Sequence, residues 1–440
     1  MIKKLTLLGT FLLLLTSCGE KTIELSSTFQ EEIDFVQTIG GTKNEVAKSI
    51  VRTSDGGYAI LGYAQSNDFD FSTKLNESFD FFVVKYSQSN ELQWIKTYGG
   101  SGDDRGEKII STSDGGFALV GYSESSDLDV SENAGDKDFW ILKLDSTGTI
   151  SWQKSLGYLG KDFGTSIIET SNGGFLISGE LDVTASGGEG NTGSRPLHAG
   201  GDFWVIKLSS QGILEWSRYY GGTFTETPSG IVETQNGNFI IAGTSDSTDV
   251  DITDNKGTYD FWVIKINNTG ELLWKKNYGG SEIDEAKAIV QTNDNNFFIV
   301  GNSRSNDQDI AQNSGGADLC IVKINNEGNL LLQKNIGGSN FDVGNSVRRM
   351  ADGHFLVSGS TRSSFETIQN KGQNDAWVLK IDSQANIIWQ KNVGGSNIDF
   401  CFDAVELLDG TVIGVGESTS NDKDIAENKG FSDILILKIK

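Results

Sequence analysis

The chain repeats one hairpin pattern almost to its last residue. Residues 260–280, DFWVIKINNTGELLWKKNYGG, read as two apolar strands, 261–266 and 272–278, joined by Asn267-Asn268-Thr269-Gly270. Gly270 is free to take the positive φ that such a tight turn needs. The pattern recurs at 138–157, 202–222 and 375–395, with more drift at 80–100 and 318–338; a seventh copy begins at Asp433 and runs to Lys440. Glycine doublets such as Gly99-Gly100 and Gly279-Gly280 set a spacing of roughly 58 residues. Gly157-Tyr158 is a degenerate member of that series. Between doublet and hairpin, each copy carries an alternating apolar run, a turn such as Ser113-Asp114-Gly115-Gly116, a second run and a longer loop. No stretch has a helical period, so each copy supplies four strands, here lettered a to d.

A four-stranded unit repeated seven times predicts an all-β fold, a seven-bladed β-propeller of four-stranded blades. The last copy supplies only strands a, b and c. Segment 33–41 matches strand d, with Phe35 five residues before Gly40 as Trp94 stands five before Gly99. The N-terminal strand is therefore expected to pair with 434–439 and close the ring, removing the free edges that invite aggregation.

The N-terminus reads differently. Lys3-Lys4 precede an apolar run, 5–15, that is too short to span a bilayer. Leu15-Thr16-Ser17-Cys18 follows and resembles the bacterial lipobox. The resemblance implies a lipoprotein signal peptide at 1–17, a diacylglycerol and an acyl chain on Cys18, and a membrane anchor of lipid alone. Gly19 is not the aspartate associated with inner-membrane retention, so an outer-membrane lipoprotein is expected, facing the periplasm or the surface. Residues 18–30 read as a flexible tether and 31–440 as the propeller.

The repeat as a whole, W-x-K-x-x-GG-S-x-x-D, then DGG-[FY], then D-[FA]-W-[VI]-[LIV]-K, resembles the bacterial β-propeller repeats of the SBBP type. It covers about 31–440. The resemblance implies a secreted or cell-surface scaffold and carries no common activity. The turn Asp145-Ser146-Thr147-Gly148-Thr149-Ile150-Ser151-Trp152 is similar to the sialidase Asp-box, which is structural there too; eight arginines with no repeat-linked triad argue against that activity.

All nine tryptophans fall at two repeat positions: Trp140, Trp204, Trp262 and Trp377 in strand c, and Trp94, Trp152, Trp216, Trp274 and Trp389 in strand d. Such regularity predicts blade-to-blade packing rather than sugar stacking. An aspartate opens every strand c (Asp80, Asp138, Asp202, Asp260, Asp318, Asp375, Asp433), and a lysine follows five residues later. The aspartates are expected to bond turn backbone, the lysines to snorkel at the strand end. Cys320 and Cys401 sit inside strand patterns and are expected to be buried free thiols.

Strand alternation puts the tight a–b and c–d turns at one end of the ring and the longer b–c and d–a loops at the other. The loop end is expected to carry the ligand face. It is acidic, in a chain of formal charge −24, which argues against nucleic-acid partners. Glu45, Asp104, Asp162, Glu226, Asp284, Asp342 and Asp399 recur in the d–a segments; Asp68/Asp70, Asp127/Asp129, Asp249/Asp251, Asp307/Asp309 and Asp422/Asp424 recur in the b–c loops. This spacing suits either Asx-turn chemistry or bound calcium. No cofactor is required. The third b–c loop, 180–201, is the one irregular element, and Arg195 and His198 mark it as a candidate binding loop. The reading is a monomeric, non-catalytic binding scaffold of the cell envelope, its acidic loop face meeting an envelope protein or a glycan. The alternative is a surface polysaccharide-degrading enzyme with paired carboxylates as acid and base.

Overall fold

The computed structural model describes residues 29–189 and 198–440. The leader, Cys18 and Arg195 lie outside the described residues. Among the described residues no helix is long and apolar enough to cross a membrane.

Seven four-stranded antiparallel sheets stand in a ring. Blade 1 comprises Glu45–Arg52, Tyr58–Ala64, Asp80–Tyr86 and Leu92–Tyr98 as strands a to d. Blades 2 to 6 follow in the same order, within 104–156, 163–220, 226–278, 284–336 and 342–393. Blade 7 takes Asp399–Glu406, Val412–Ser418 and Asp433–Ile439 from the end of the chain, and its outer strand is Ile33–Ile39. That strand pairs antiparallel with strand c, Val36 opposite Leu437 and Ile39 opposite Ile434, so the ring is closed as expected. Contact with the body begins earlier than the expected boundary at 31. Phe29 packs 5.4 Å from the ring of Trp389, and the Gln30 amide donates to Lys440 O at 3.1 Å.

Strand c is buried on both faces in every blade, which is why it reads as an unbroken apolar run. Consecutive blades interlock there. Phe81 meets Trp140, Phe139 meets Trp204 and Phe203 meets Trp262, with centroids 4.8, 4.8 and 4.5 Å apart. Each such aromatic pair adds ~0.5–1.5 kcal/mol beyond its buried area. Strand d clamps the next blade. The hydroxyls of Tyr98, Tyr220 and Tyr278 donate to Gly148 O, Gly270 O and Gly328 O at 2.6, 2.5 and 2.7 Å. The indole N–H groups of Trp152, Trp216 and Trp274 donate to Ser210 O, Asn268 O and Asn326 O, in the c–d turns of the next blades. The tryptophans thus join blade to blade.

The strand-c lysines do not snorkel. Lys85, Lys143 and Lys323 are buried and pair with Asp55, Asp114 and Asp294 of the a–b turns at 2.5, 2.8 and 2.8 Å. Asp114 loses some solvation there, but the bonds from Lys143 and Thr112 outweigh this and pull its carboxyl down to about 2. The lysines therefore staple the turn end of the ring. Cys320 and Cys401 are buried free thiols, and burial pushes Cys401 up to about 12.

Strand a is innermost and carries one feature absent from the expected alternation. In every blade the a–b register slips by one residue, leaving a β-bulge at Lys48, Glu107, Thr165, Ser229, Lys287, Asn345 and Phe402. A bulge re-aims the extra side chain. Here all seven line the central channel.

Candidate functional site

The acids expected to form an exposed loop face are placed inside instead. Glu45, Asp104, Asp162, Glu226, Asp284, Asp342 and Asp399 are fully buried. All except Asp162 are the first residue of strand a rather than loop residues. Each accepts the backbone N–H four residues earlier: Gly41 to Glu45 at 2.8 Å, Gly100 to Asp104 at 2.7 Å, Tyr158 to Asp162 at 2.8 Å, Gly222 to Glu226 at 2.6 Å, and 2.7 Å for Gly280 to Asp284, Gly338 to Asp342 and Gly395 to Asp399. Hydroxyls of strand b and the loop behind it complete the cage, as with Ser305 Oγ to Asp284 at 2.8 Å and Ser363 Oγ to Asp342 at 2.7 Å.

The strand-c aspartates lie beside them. An added Cβ on Gly279 would stand 2.3 Å from Asp260 Oδ1 and 2.8 Å from Asp284 Oδ2, so only glycine lets the two carboxyls approach. Asp260 takes the Lys256 amide at 2.6 Å, as Asp138 takes Ala134 at 2.7 Å and Asp318 takes Ser314 at 2.7 Å. Desolvation, with the neighbouring carboxylate adding to it, pushes Asp260 up to about 7. Burial likewise raises Asp80, Asp162 and Glu226 to about 7 and Asp433 to about 6. Carboxyl pairs of this kind hold the blade junctions and do not face a substrate.

The Asp-x-Asp residues also spend their oxygens on backbone. Asp68, Asp127, Asp249, Asp307 and Asp422 accept the amides of Thr42, Ser101, Thr223, Ser281 and Ser396 at 3.0, 2.8, 3.0, 2.8 and 2.7 Å. Asp70, Asp129, Asp251, Asp309 and Asp424 accept the first glycine of the preceding doublet, and Asp70 and Asp424 add Lys429 and Lys371 at 2.8 and 2.9 Å. Among the described residues no group of three or more His, Cys, Asp or Glu side chains is gathered to hold a metal ion. In the third loop, Val183–Ser186 forms a single helical turn capped by Asp182. His198 is not presented to solvent. Its side chain is buried, its Nδ1 bonded to Asp202 and its ring edge-on to Tyr219 at 5.1 Å.

What the ring does present is a channel of about 1220 Å³ walled by the inner strands. Its chemistry comes from positions where one blade departs from the others. The residue after the bulge is small in five blades (Ser49, Ser166, Gly230, Ala288, Ser346) but is Lys108 in blade 2 and Asp403 in blade 7. Two residues further along, Val51, Ile110, Ile168, Val232, Val290 and Val405 are matched in blade 6 by Arg348. These three exceptions meet. Arg348 donates to Asp403 through Nε at 3.0 Å and Nη2 at 2.5 Å, and Nη2 also reaches Ile50 O at 2.7 Å. Asp403 further accepts Ser49 Oγ at 3.0 Å, the Ile50 amide at 3.2 Å and Lys108 Nζ at 3.4 Å. Burial works against the Asp403 charge, but Arg348 and Lys108 override it and hold the carboxyl well below the usual range. Desolvation lowers Lys108 despite its partner. Lys48 pairs with Glu107 at 3.1 Å and lies over the ring of Phe402. Whole-chain motif reading misses this cluster, because its members are 55 and 295 residues apart. Comparing the seven repeats position by position would have exposed all three.

No protein-family profile matches the chain. Among curated proteins, it is 24% identical over 230 residues to the "Regulatory protein FlaEY" of Caulobacter vibrioides, covering 48% of this chain and 23% of that one. The chain thus spans about a quarter of the length of the relative it matches. Among solved structures, it is similar to the WD40 β-propeller domain of Doa1, with 10% identity, TM-score 0.50, and 91% and 96% of the two chains covered. A protein of unknown function from Bacteroides caccae matches at 14% identity and TM-score 0.39, over 67% of this chain and 85% of that one. The likeness to the Doa1 domain, at 10% identity, is one of fold, a β-propeller.

Proposed function

We propose that this chain is a non-catalytic binding scaffold of the cell envelope, held at the outer membrane by lipid on Cys18, and that it takes its ligand in the central channel. One observation carries the reading. In a ring of near-equivalent blades, the charged exceptions to the inner-strand pattern converge on one wall of an open cavity. A structural ring needs no such convergence, because a buried ion pair adds little net stability over an apolar pair of similar size. The volume suits a small ligand or the end of a larger chain. The paired carboxyls of the blade junctions are buried, which weighs against their serving as the acid and base of glycoside hydrolysis. The weak likeness to a protein named as regulatory is compatible with binding.

Two measurements test this. Native mass spectrometry of the protein isolated from its own envelope should show a retained mass that is lost from the repeat-pattern variant Lys108→Ser/Arg348→Val/Asp403→Ser. Identical spectra from both proteins would remove the channel from the argument. Palmitate labelling of the cells should mark the wild type and not Cys18→Ser; equal labelling of the two would remove the anchor.

A further inference from the structure

The channel wall is electrically lopsided. On the side formed by blades 6, 7, 1 and 2, the turn-end half is lined by Arg348, Arg349, Arg52 and Lys108, against Asp403 and Glu406. The chain has only eight arginines and a net charge of −24, yet three of them line this one wall. The acids on this side are already engaged by the protein, Glu107 by Lys48 at 3.1 Å. Asp403 is saturated as described, and Glu406 accepts the Ala351 amide at 2.7 Å. The cations are not matched. Among the described residues neither Arg52 nor Arg349 makes an ion pair, and both are exposed. Lys108 has a single long contact, and the Arg348 bonds run through Nε and Nη2, with none through Nη1. On the far wall the lining acids are Glu180 and Glu285, and both are engaged: Glu180 accepts the Thr227 hydroxyl at 2.9 Å and Glu285 pairs with Lys287 at 3.4 Å.

We infer that the wall between blades 6 and 2 binds an oxyanion, the carboxylate or phosphate group of a ligand entering from the turn end. The inference rests on the channel reading above and names its ligand class. Guanidinium groups match planar oxyanions through two parallel N–H bonds, and the low-dielectric wall strengthens the attraction. The mouth lies at the opposite end of the ring from the loops that the sequence pointed to. Asp403 serves as a positioning residue: it fixes Arg348 and draws Lys108 toward it without needing to touch the ligand.

The test uses the detergent-solubilised full chain titrated with citrate, with inorganic phosphate and with sodium chloride at matched ionic strength, followed by thermal melts and calorimetry. Citrate or phosphate should raise the melting temperature above the chloride control, and the stronger of the two tells carboxylate from phosphate. Lys108→Met should weaken that binding about ten-fold, equivalent to ~1.4 kcal/mol. Arg52→Ser/Arg349→Ser, both surface changes, should weaken it without altering the fold. Equality of all three salts, or unchanged binding in both variants, would overturn the inference. A neutral ligand lost from the repeat-pattern variant would also overturn it while leaving the channel reading standing.

Discussion

Asp260→Asn, compared with the wild type at pH 5 and pH 8, separates the buried carboxyl pairs from ordinary surface acids. Asp260 is fully buried, shares the space over Gly279 with Asp284, and is raised by desolvation from 3.8 to about 7. A carboxyl with a raised folded-state pKa binds its proton more tightly in the native protein than in the unfolded chain. Stability from this group is therefore largest below the unfolded pKa and declines as pH rises through the folded value. Three units correspond to ~4 kcal/mol over the whole window, of which ~2–3 kcal/mol falls between pH 5 and 8. Asparagine keeps the acceptor for the Lys256 amide, offers its own N–H groups to Asp284, and carries no charge at either pH. The variant should match the wild type or be slightly less stable at pH 5, and be more stable by ~2–3 kcal/mol at pH 8. Urea melts at the two pH values read this as crossing midpoints with unchanged slope. Parallel midpoints would show that Asp260 is solvated or charged in the fold, and the carboxyl-pair account would fail. The wild type as a whole should share this trend, since Asp80, Asp162 and Glu226 are raised alike. Below about pH 4 the sign reverses, because Asp114 and Asp352, pulled down to about 2 by their lysines, then lose their charge.

Removing residues 31–39 should cost far more than a typical edge strand. Ile39 is buried and Phe35 and Val36 are half-buried, together worth about 4 kcal/mol, and the loss leaves strand c of blade 7 as a bare edge; a truncated protein that melts with the parent would refute the closure account. Melts of residues 19–440 in chelator and in millimolar calcium should coincide, since the Asp-x-Asp oxygens already bond backbone amides; a clear rise with calcium would restore those loops as metal sites.

The repeat made the fold legible. Seven equivalent hairpins, each burying its strand c on both faces, leave few other ways to cover the apolar surface, and the strand-d pattern at 33–41 gave the closure directly. The structural role of the tryptophans followed from the same regularity. The site did not follow from it. A recurring acid signals its spacing but not its direction, and only the packed ring shows that Asp284 and its equivalents point inward to cap the glycine doublets. The same holds for the strand-c lysines, which look like exposed ends until the a–b turns fold down over them. The inner-strand bulge is invisible to a two-residue period, yet it decides which side chains reach the channel. By itself, then, the sequence determined the architecture, because local strand patterns and their period set which surfaces must be buried. The tertiary structure decided the site, because Lys108, Arg348 and Asp403 come from different blades and become neighbours only when the ring closes.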